Sequence, residues 1–273
     1  MKYPPIAMTW RTQKIREEYL KMPVPQEDNP YLDKKYKHFC TGDRWITLGF
    51  LEGWLAHEDA PTTRRRRSYA EAAELYAAQP IITEHELLTG HLYLPEYTPE
   101  EQKRYDQLCE MFRMSSVTLL ERGPRIDHLS LDLEKLLRIG ISGIVAEIHA
   151  RMAELNLQDR NVYPEFEVMK QYDFYECCLL ELEALKDLQK RYAQKAREMA
   201  ETAPEPRKSE LSQMAEILEW VPEHPARNFR EALQSVQFFL GTLFGLYPLN
   251  RPDRYLYPYY ACLLYTSDAA DDR

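Results

Sequence analysis

Apolar residues recur at three- and four-residue steps over most of the chain, and that spacing predicts helices. In the C-terminal third, Leu211, Met214, Ala215, Leu218 and Val221 form one such stripe. Ser209 is its expected N-cap, and Pro222 and Pro225 end the run. A second helix is expected from Phe229 to about Leu243. Phe229, Ala232, Leu233, Val236, Phe239, Leu240 and Leu243 share a stripe on it wide enough to be covered on most sides, with Leu233, Val236 and Leu240 in its core. Earlier, Leu133, Leu136 and Leu137 predict a short helix ended by Gly140. Ile144, Ile148, Met152 and Leu155 predict another that begins near Ser142. A longer helix is expected over about 172–199. Only residues 80–82 read as a strand, leading into 84–90. Proline-rich joints fall at 23–30, 95–99 and 204–206, and no internal repeat is visible. The expected fold class is mostly α.

Composition narrows this further. At 273 residues, with 44% hydrophobic and 29% charged, the chain can bury a sizeable core. Nine glycines are too few for an all-β chain rich in tight turns. The net charge of −9 gives no general attraction to phosphate backbones, so no nucleic-acid partner is expected. The most apolar run, 236–249, is interrupted by Gln237, Gly241, Thr242, Gly245 and Pro248; it reads as a buried helix, and no membrane partner is expected. Five cysteines (Cys40, Cys109, Cys177, Cys178 and Cys262) form no CxxC pair. The odd count, with no signal peptide in view, predicts a reducing compartment, the cytoplasm.

The chemistry-bearing residues say little by spacing alone. EHELLTGH, over 84–91, opens like a zinc-protease helix, but His85 and His91 are six residues apart where a helical pair of ligands needs four, and no metal site is expected. Cys177 and Cys178 are adjacent in an apolar helix and read as buried structural thiols. Arg64 to Arg67 open an Ala- and Glu-rich helix without interleaved aromatics, the pattern of a solvated face with local acidic partners. There is no GxGxxG and no Walker A motif, and no nucleophile–base arrangement follows from spacing. On these grounds the chain could equally be a non-catalytic helical interaction protein.

Four ordered blocks carry a resemblance. PIITEHELLTG (80–90) looks like PI.I...ELIVG, and IDHLSLDLEKLLRIGISGIVAEI (126–148) like GH...DYEKVL..GF.GI..E. PEPRKSELSQMAEILEWVPEHPARNFREALQ (204–234) is similar to RK.EL..IA.IC..VP..PA.SF.EALQ, and RPDRYLYPYY (251–260) to GRFDQYLYPYY. These are motifs of the glycyl radical enzymes of the pyruvate formate-lyase-like family, and the blocks lean toward its glycerol dehydratase-like branch. The N-terminal region is only loosely similar, with Cys40 to Arg44 near the family's C.ERA and Arg66 to Arg67 near its RRA.

The resemblance implies that residues 1–261 are the N-terminal portion of a truncated pyruvate formate-lyase domain. The whole domain would be a ten-stranded α/β barrel surrounded by helices, closed so that a radical is kept from water and oxygen. It implies radical cleavage of a C–O, C–N or C–C bond in a small polar substrate, in an anaerobic homodimer. The glycyl radical would be installed by an activating enzyme that uses S-adenosylmethionine and an iron–sulfur cluster. The family's thiyl cysteine and radical glycine lie beyond this chain, so no catalytic residue and no bound cofactor is expected in it, and the chain alone is expected to be inactive. His128 matches the histidine of the GH pair, which in the glycerol dehydratase branch approaches the substrate hydroxyls. That implies a substrate-binding role, because a neutral imidazole both donates and accepts; a helix-entry histidine satisfied by backbone is the alternative. Asp127 replaces the family's glycine, and the His-Ser ahead of the RFDQY block has no counterpart at 245–250. Residues 262–273, CLLYTSDAADDR, resemble a translated sequencing adapter, not native sequence.

Overall fold

The computed structural model describes residues 9–21, 47–92, 97–114, 131–155, 164–242 and 249–271. Among these residues there are ten helices and no strand. In chain order they are α1 (Trp10–Lys21), α2 (Leu48–Ala56), α3 (Thr63–Ala77), α4 (Pro99–Met114), α5 (Leu133–Glu154), α6 (Pro164–Thr202), α7 (Arg207–Leu218), α8 (Phe229–Thr242), α9 (Pro252–Tyr255) and α10 (Tyr257–Asp271).

The 39-residue α6 is the mast of the structure. At 1.5 Å per residue it is about 58 Å long. Small and branched residues on it, Ala184, Leu185, Leu188, Ala193 and Ala196, let α3, α5 and α7 approach closely, and these helices bury the main core around it. A smaller core lies beside it, where Phe50, Leu51 and Trp54 of α2 meet Ala70 of α3 and Leu108 of α4.

Side-chain caps begin several helices. Thr47 accepts from Phe50 N, Thr62 from Arg65 N and Asp132 from Lys135 N, each satisfying an amide that the helix leaves open. Residue 140 divides α5 as expected: Gly140 sits at φ 65°, ψ 177° between two helical halves. The expected long helix is longer at both ends than 172–199. The 204–206 prolines mark the joint between α6 and α7.

Three expectations need correction. Ser209 does not cap α7; the helix starts two residues earlier, after Pro206, and Ser209 N donates to the Glu205 carboxylate from inside the first turn. Residues 80–82 are not a strand. The chain on either side of them is fastened by side chains: Arg191 donates to Leu75 O and Ala78 O, and Arg207 to Thr83 O (2.9 Å) and Glu86 O (2.7 Å). On α8, Val236 is buried as expected, but Leu233 and Leu240 are only half-buried. The deeply buried positions are Ala232, Gln234, Ser235, Phe238 and Gly241. The 80–92 segment covers that side, and it selects the face by polar bonds and glycine contacts that a hydrophobic stripe does not encode.

Candidate functional site

His128 lies outside the described residues. The structure does show how the four sequence blocks meet, since each contributes to the core around α6: Ile82 from the first, Leu133, Leu136, Leu137 and Ile141 from the second, Leu211, Met214, Ala215, Leu218 and Ala232 from the third and Tyr255 from the fourth.

The second and third blocks join at Gly140. There the backbone turns so that Ile141 N donates to Pro222 O and Ser142 N to Glu223 O, both at 2.9 Å, while Ala226 N returns a bond to Leu137 O at 3.0 Å. A Cβ on Gly140 would lie 2.5 Å from Glu223 O, and the positive φ excludes other residues as well. Gln189 of α6, fully buried, secures the same joint: its amide donates to Leu218 O (2.8 Å) and accepts from Glu223 N (2.9 Å). Trp220 closes the loop. His224 stacks on its ring at 4.1 Å, the Arg227 guanidinium lies 4.4 Å from its centroid, and its indole N–H donates to Pro225 O.

The first and third blocks join through Gln234, which accepts from Thr89 N (3.1 Å) and donates to Thr89 O (2.7 Å), filling the place of a neighbouring strand. Gly90, at φ 129°, packs against Phe238, and Gly241 against Gly90 O. One residue on, the Gln237 amide donates to His91 Nε2 at 2.8 Å, and the Tyr192 hydroxyl donates to His91 O. Arg207 and Arg11 both engage Glu210. Arg11, then Arg207, holds that carboxyl below the usual carboxylate range. The fourth block docks by hydroxyls, with Tyr255 bonding Leu249 O (2.8 Å) and Tyr259 bonding Leu137 O (3.2 Å).

His85 and His91 face different partners: the His85 ring meets Trp10 edge-on at 5.9 Å, whereas His91 meets Gln237. Among the described residues no group of three or more His, Cys, Asp or Glu could hold a metal ion. No helix among them is long and apolar enough to cross a membrane.

The arginine run has specific partners. Arg65 pairs with Asp173 (3.0 Å) and Glu176 (3.6 Å), Arg66 donates to Trp54 O (2.8 Å) and lies over its ring, and Arg67 pairs with Glu71 (3.0 Å). Beside it, the buried Ser68 hydroxyl donates to Glu181 Oε1 at 2.6 Å. Burial, then the facing Glu71 carboxylate, pushes the Glu181 carboxyl up to about 7. Burial also raises both α6 thiols, Cys178 to about 11, which leaves them poor nucleophiles. Cys177 is buried as expected, whereas Cys178 is only half-buried. Sequence reasoning gave no sign of Glu181 or Glu71, which are unremarkable acids on two helices far apart in the chain.

Five of the described glycines sit at close contacts. Gly49 and Gly53 bring α2 onto Ala77 and Ala73 of α3, and Gly90, Gly140 and Gly241 face backbone within 2.6 Å of where a Cβ would be.

The profile of the pyruvate formate lyase-like family matches residues 79–262, more than half of the sequence, and the chain belongs to that family. It is similar to isethionate sulfite-lyase of Oleidesulfovibrio alaskensis, 38% identical over 136 residues that make up 47% of this chain and 16% of the relative. It is also similar to (2S)-3-sulfopropanediol dehydratase of Klebsiella oxytoca, 33% identical over 49% of this chain and again 16% of the relative. The chain thus spans about a sixth of the length of these glycyl radical lyases and dehydratases. A solved structure concerned with 1,2-propanediol dehydration in Roseburia inulinivorans superposes with a TM-score of 0.75 at 21% identity, over 98% of this chain and 38% of that one, so the two share a fold there.

Proposed function

We propose that residues 1–261 form the N-terminal wall of the catalytic barrel of a glycyl radical lyase or dehydratase that cleaves a C–O or C–S bond of a small polar substrate. The observation that carries this reading is the convergence of the four blocks: Gly140 and Gln234, which look arbitrary in sequence, are contacts between blocks. A helical interaction protein would have no need of that set. The relatives' names supply the bond types, because a sulfite-lyase breaks C–S and a dehydratase breaks C–O.

In this proposal the radical glycine and the thiyl cysteine belong to sequence beyond residue 261. The activating enzyme, with S-adenosylmethionine and an iron–sulfur cluster, is the partner that generates the radical, and the working enzyme is an anaerobic, cytoplasmic homodimer. When installed, the radical supplies hydrogen-atom abstraction. The residues of this chain would orient the substrate and exclude water. His128 is the proposed substrate contact, donating and accepting at a hydroxyl or a related polar group. Residues 262–273 are proposed to be adapter-derived; Leu263, Leu264 and Tyr265 on α10 are 45%, 46% and 80% exposed, as expected of apolar residues not chosen for this fold.

The test is electron paramagnetic resonance after anaerobic treatment with the activating enzyme and S-adenosylmethionine. The 273-residue chain should give no signal, and the chain completed from its gene should give the doublet of a glycine Cα radical. In the completed enzyme, His128→Ala should lower turnover while leaving the doublet intact. A doublet from the 273-residue chain, or wild-type turnover in the variant, would overturn the respective assignment.

A further inference from the structure

Thr89 is fully buried, and its hydroxyl has no hydrogen-bond partner. Its main chain is the opposite case, since Gln234 accepts from Thr89 N at 3.1 Å and donates to Thr89 O at 2.7 Å. One residue thus carries both a two-bond hold between the first and third blocks and a polar group that nothing answers.

The amides that α8 turns toward the segment are engaged elsewhere. Both polar atoms of Gln234 are used by the Thr89 main chain, and the Gln237 amide nitrogen by the His91 ring. One residue on, the two backbones lie too close for water to pass between them: a Cβ on Gly90 would stand 2.6 Å from Phe238 Cα, and one on Gly241 2.6 Å from Gly90 O. A hydroxyl in such a place gives up its bonds to water on folding and receives none in return, which opposes its burial. Nor is oxygen needed there for shape. The family pattern ELIVG carries Val where ELLTG of this chain carries Thr89, and Val has the same branching at Cβ with a methyl in place of the hydroxyl.

We infer that Thr89 is a built-in weak point of the joint between the first and third blocks. Its hydroxyl favours the open state, in which water reaches it, and so lets the 80–92 segment part from α8 more readily than their close packing would otherwise allow. The Gln234 amide and the Thr89 hydroxyl act in opposite directions on the same residue: one holds the segment down, and the other eases its release.

Amide hydrogen exchange of the full chain, followed by mass spectrometry on peptides spanning 80–92 and normalised to the unfolded amides, tests this, because protection there reports how often the segment opens. Thr89→Val removes the hydroxyl and keeps the outline, so exchange in the segment should slow by roughly tenfold, the size expected of a hydroxyl buried without a partner. Thr89→Ser keeps the hydroxyl and sheds the methyl, whereas Thr89→Ala sheds both. The last two differ only in the hydroxyl, so the segment should exchange more slowly in Thr89→Ala than in Thr89→Ser, and this comparison serves if Thr89→Val does not fold. Unchanged or faster exchange in Thr89→Val would show that the hydroxyl is answered in the folded chain and would overturn the weak point. Equal or faster exchange in Thr89→Ala than in Thr89→Ser would do the same.

Discussion

Replacing Gly140 with alanine should be among the most damaging single changes available in this chain. At φ 65° and ψ 177° the residue occupies backbone territory open essentially to glycine alone, and an alanine held there costs about 1–3 kcal/mol. The new Cβ would lie 2.5 Å from Glu223 O and 2.6 Å from the His224 carbonyl carbon, both backbone atoms with no rotamer to relieve them. Glu223 O is also the acceptor for Ser142 N, and Pro222 O the acceptor for Ile141 N. Displacing the loop therefore strips one or both bonds from the buried kink, at about 1–3 kcal/mol for each group left unpaired. With one bond lost, these effects amount to about 2–6 kcal/mol, against a whole-domain stability of about 5–15 kcal/mol. In urea, with a slope of about 1–3 kcal/mol per molar, a loss of 3 kcal/mol moves the midpoint down by about 1–3 M. Circular dichroism at 222 nm reads that midpoint directly. A variant within about 0.5 kcal/mol of wild type would mean that the α5 kink is not the joint between the second and third blocks, and the argument for their convergence would fail with it.

Other outcomes follow from the same contacts. Gln234→Glu removes the donor to Thr89 O and should cost about 2 kcal/mol, read as a lower melting temperature, whereas no shift would show that the amide is not gripping the 80–92 segment. Arg65→Ala leaves Asp173, 9% exposed, without its cation and should cost about 3 kcal/mol, while the exposed Arg64→Ala should stay within about 0.5 kcal/mol. Equal effects of the two arginine changes would mean that the run acts by net charge instead of by position. With iodoacetamide at pH 8, peptide mass spectrometry should find Cys262 labelled first and Cys177 and Cys178 slowly, as burial raises both thiols and Cys262 is exposed. Labelling of Cys177 at the rate of Cys262 would contradict its burial.

Much of the helical layout was legible because period and punctuation agree locally. The Leu133–Leu137 stripe, the Gly140 break and the 204–206 prolines each carry their signal within a few residues. What failed to show in the sequence is set by partners far away. Leu233 and Val236 look equivalent on a stripe, yet the buried side of α8 is fixed by Thr89 and Gly90, some 145 residues upstream of Gln234. The strand expected at 80–82 was a reading of local composition, overridden by arginines on α6 and α7. The Ser68–Glu181 contact, 113 residues apart, pairs groups that are ordinary surface formers in isolation. The family blocks were legible as a pattern, but their physical meaning as mutual contacts emerges only when α6 brings them together.

Most fastenings of the 80–92 segment share one property. Gln234 grips Thr89 N and O, Arg207 grips Thr83 O and Glu86 O, Arg191 grips Ala78 O beside it and Tyr192 grips His91 O, all of them main-chain atoms; the His91 ring, held by Gln237, is a side-chain target. Main-chain atoms are the same whatever residue bears them. The path of the segment is thus written largely on the helices that hold it, so its exposed residues are freer to diverge than Gly90, His91 and the buried Ile82, Glu86, Thr89 and Leu92. Evolution or an engineer could exchange His85 or Leu87 and inherit the same route across α8, whereas a change at any of the four gripping residues would redirect the segment without altering one letter of it.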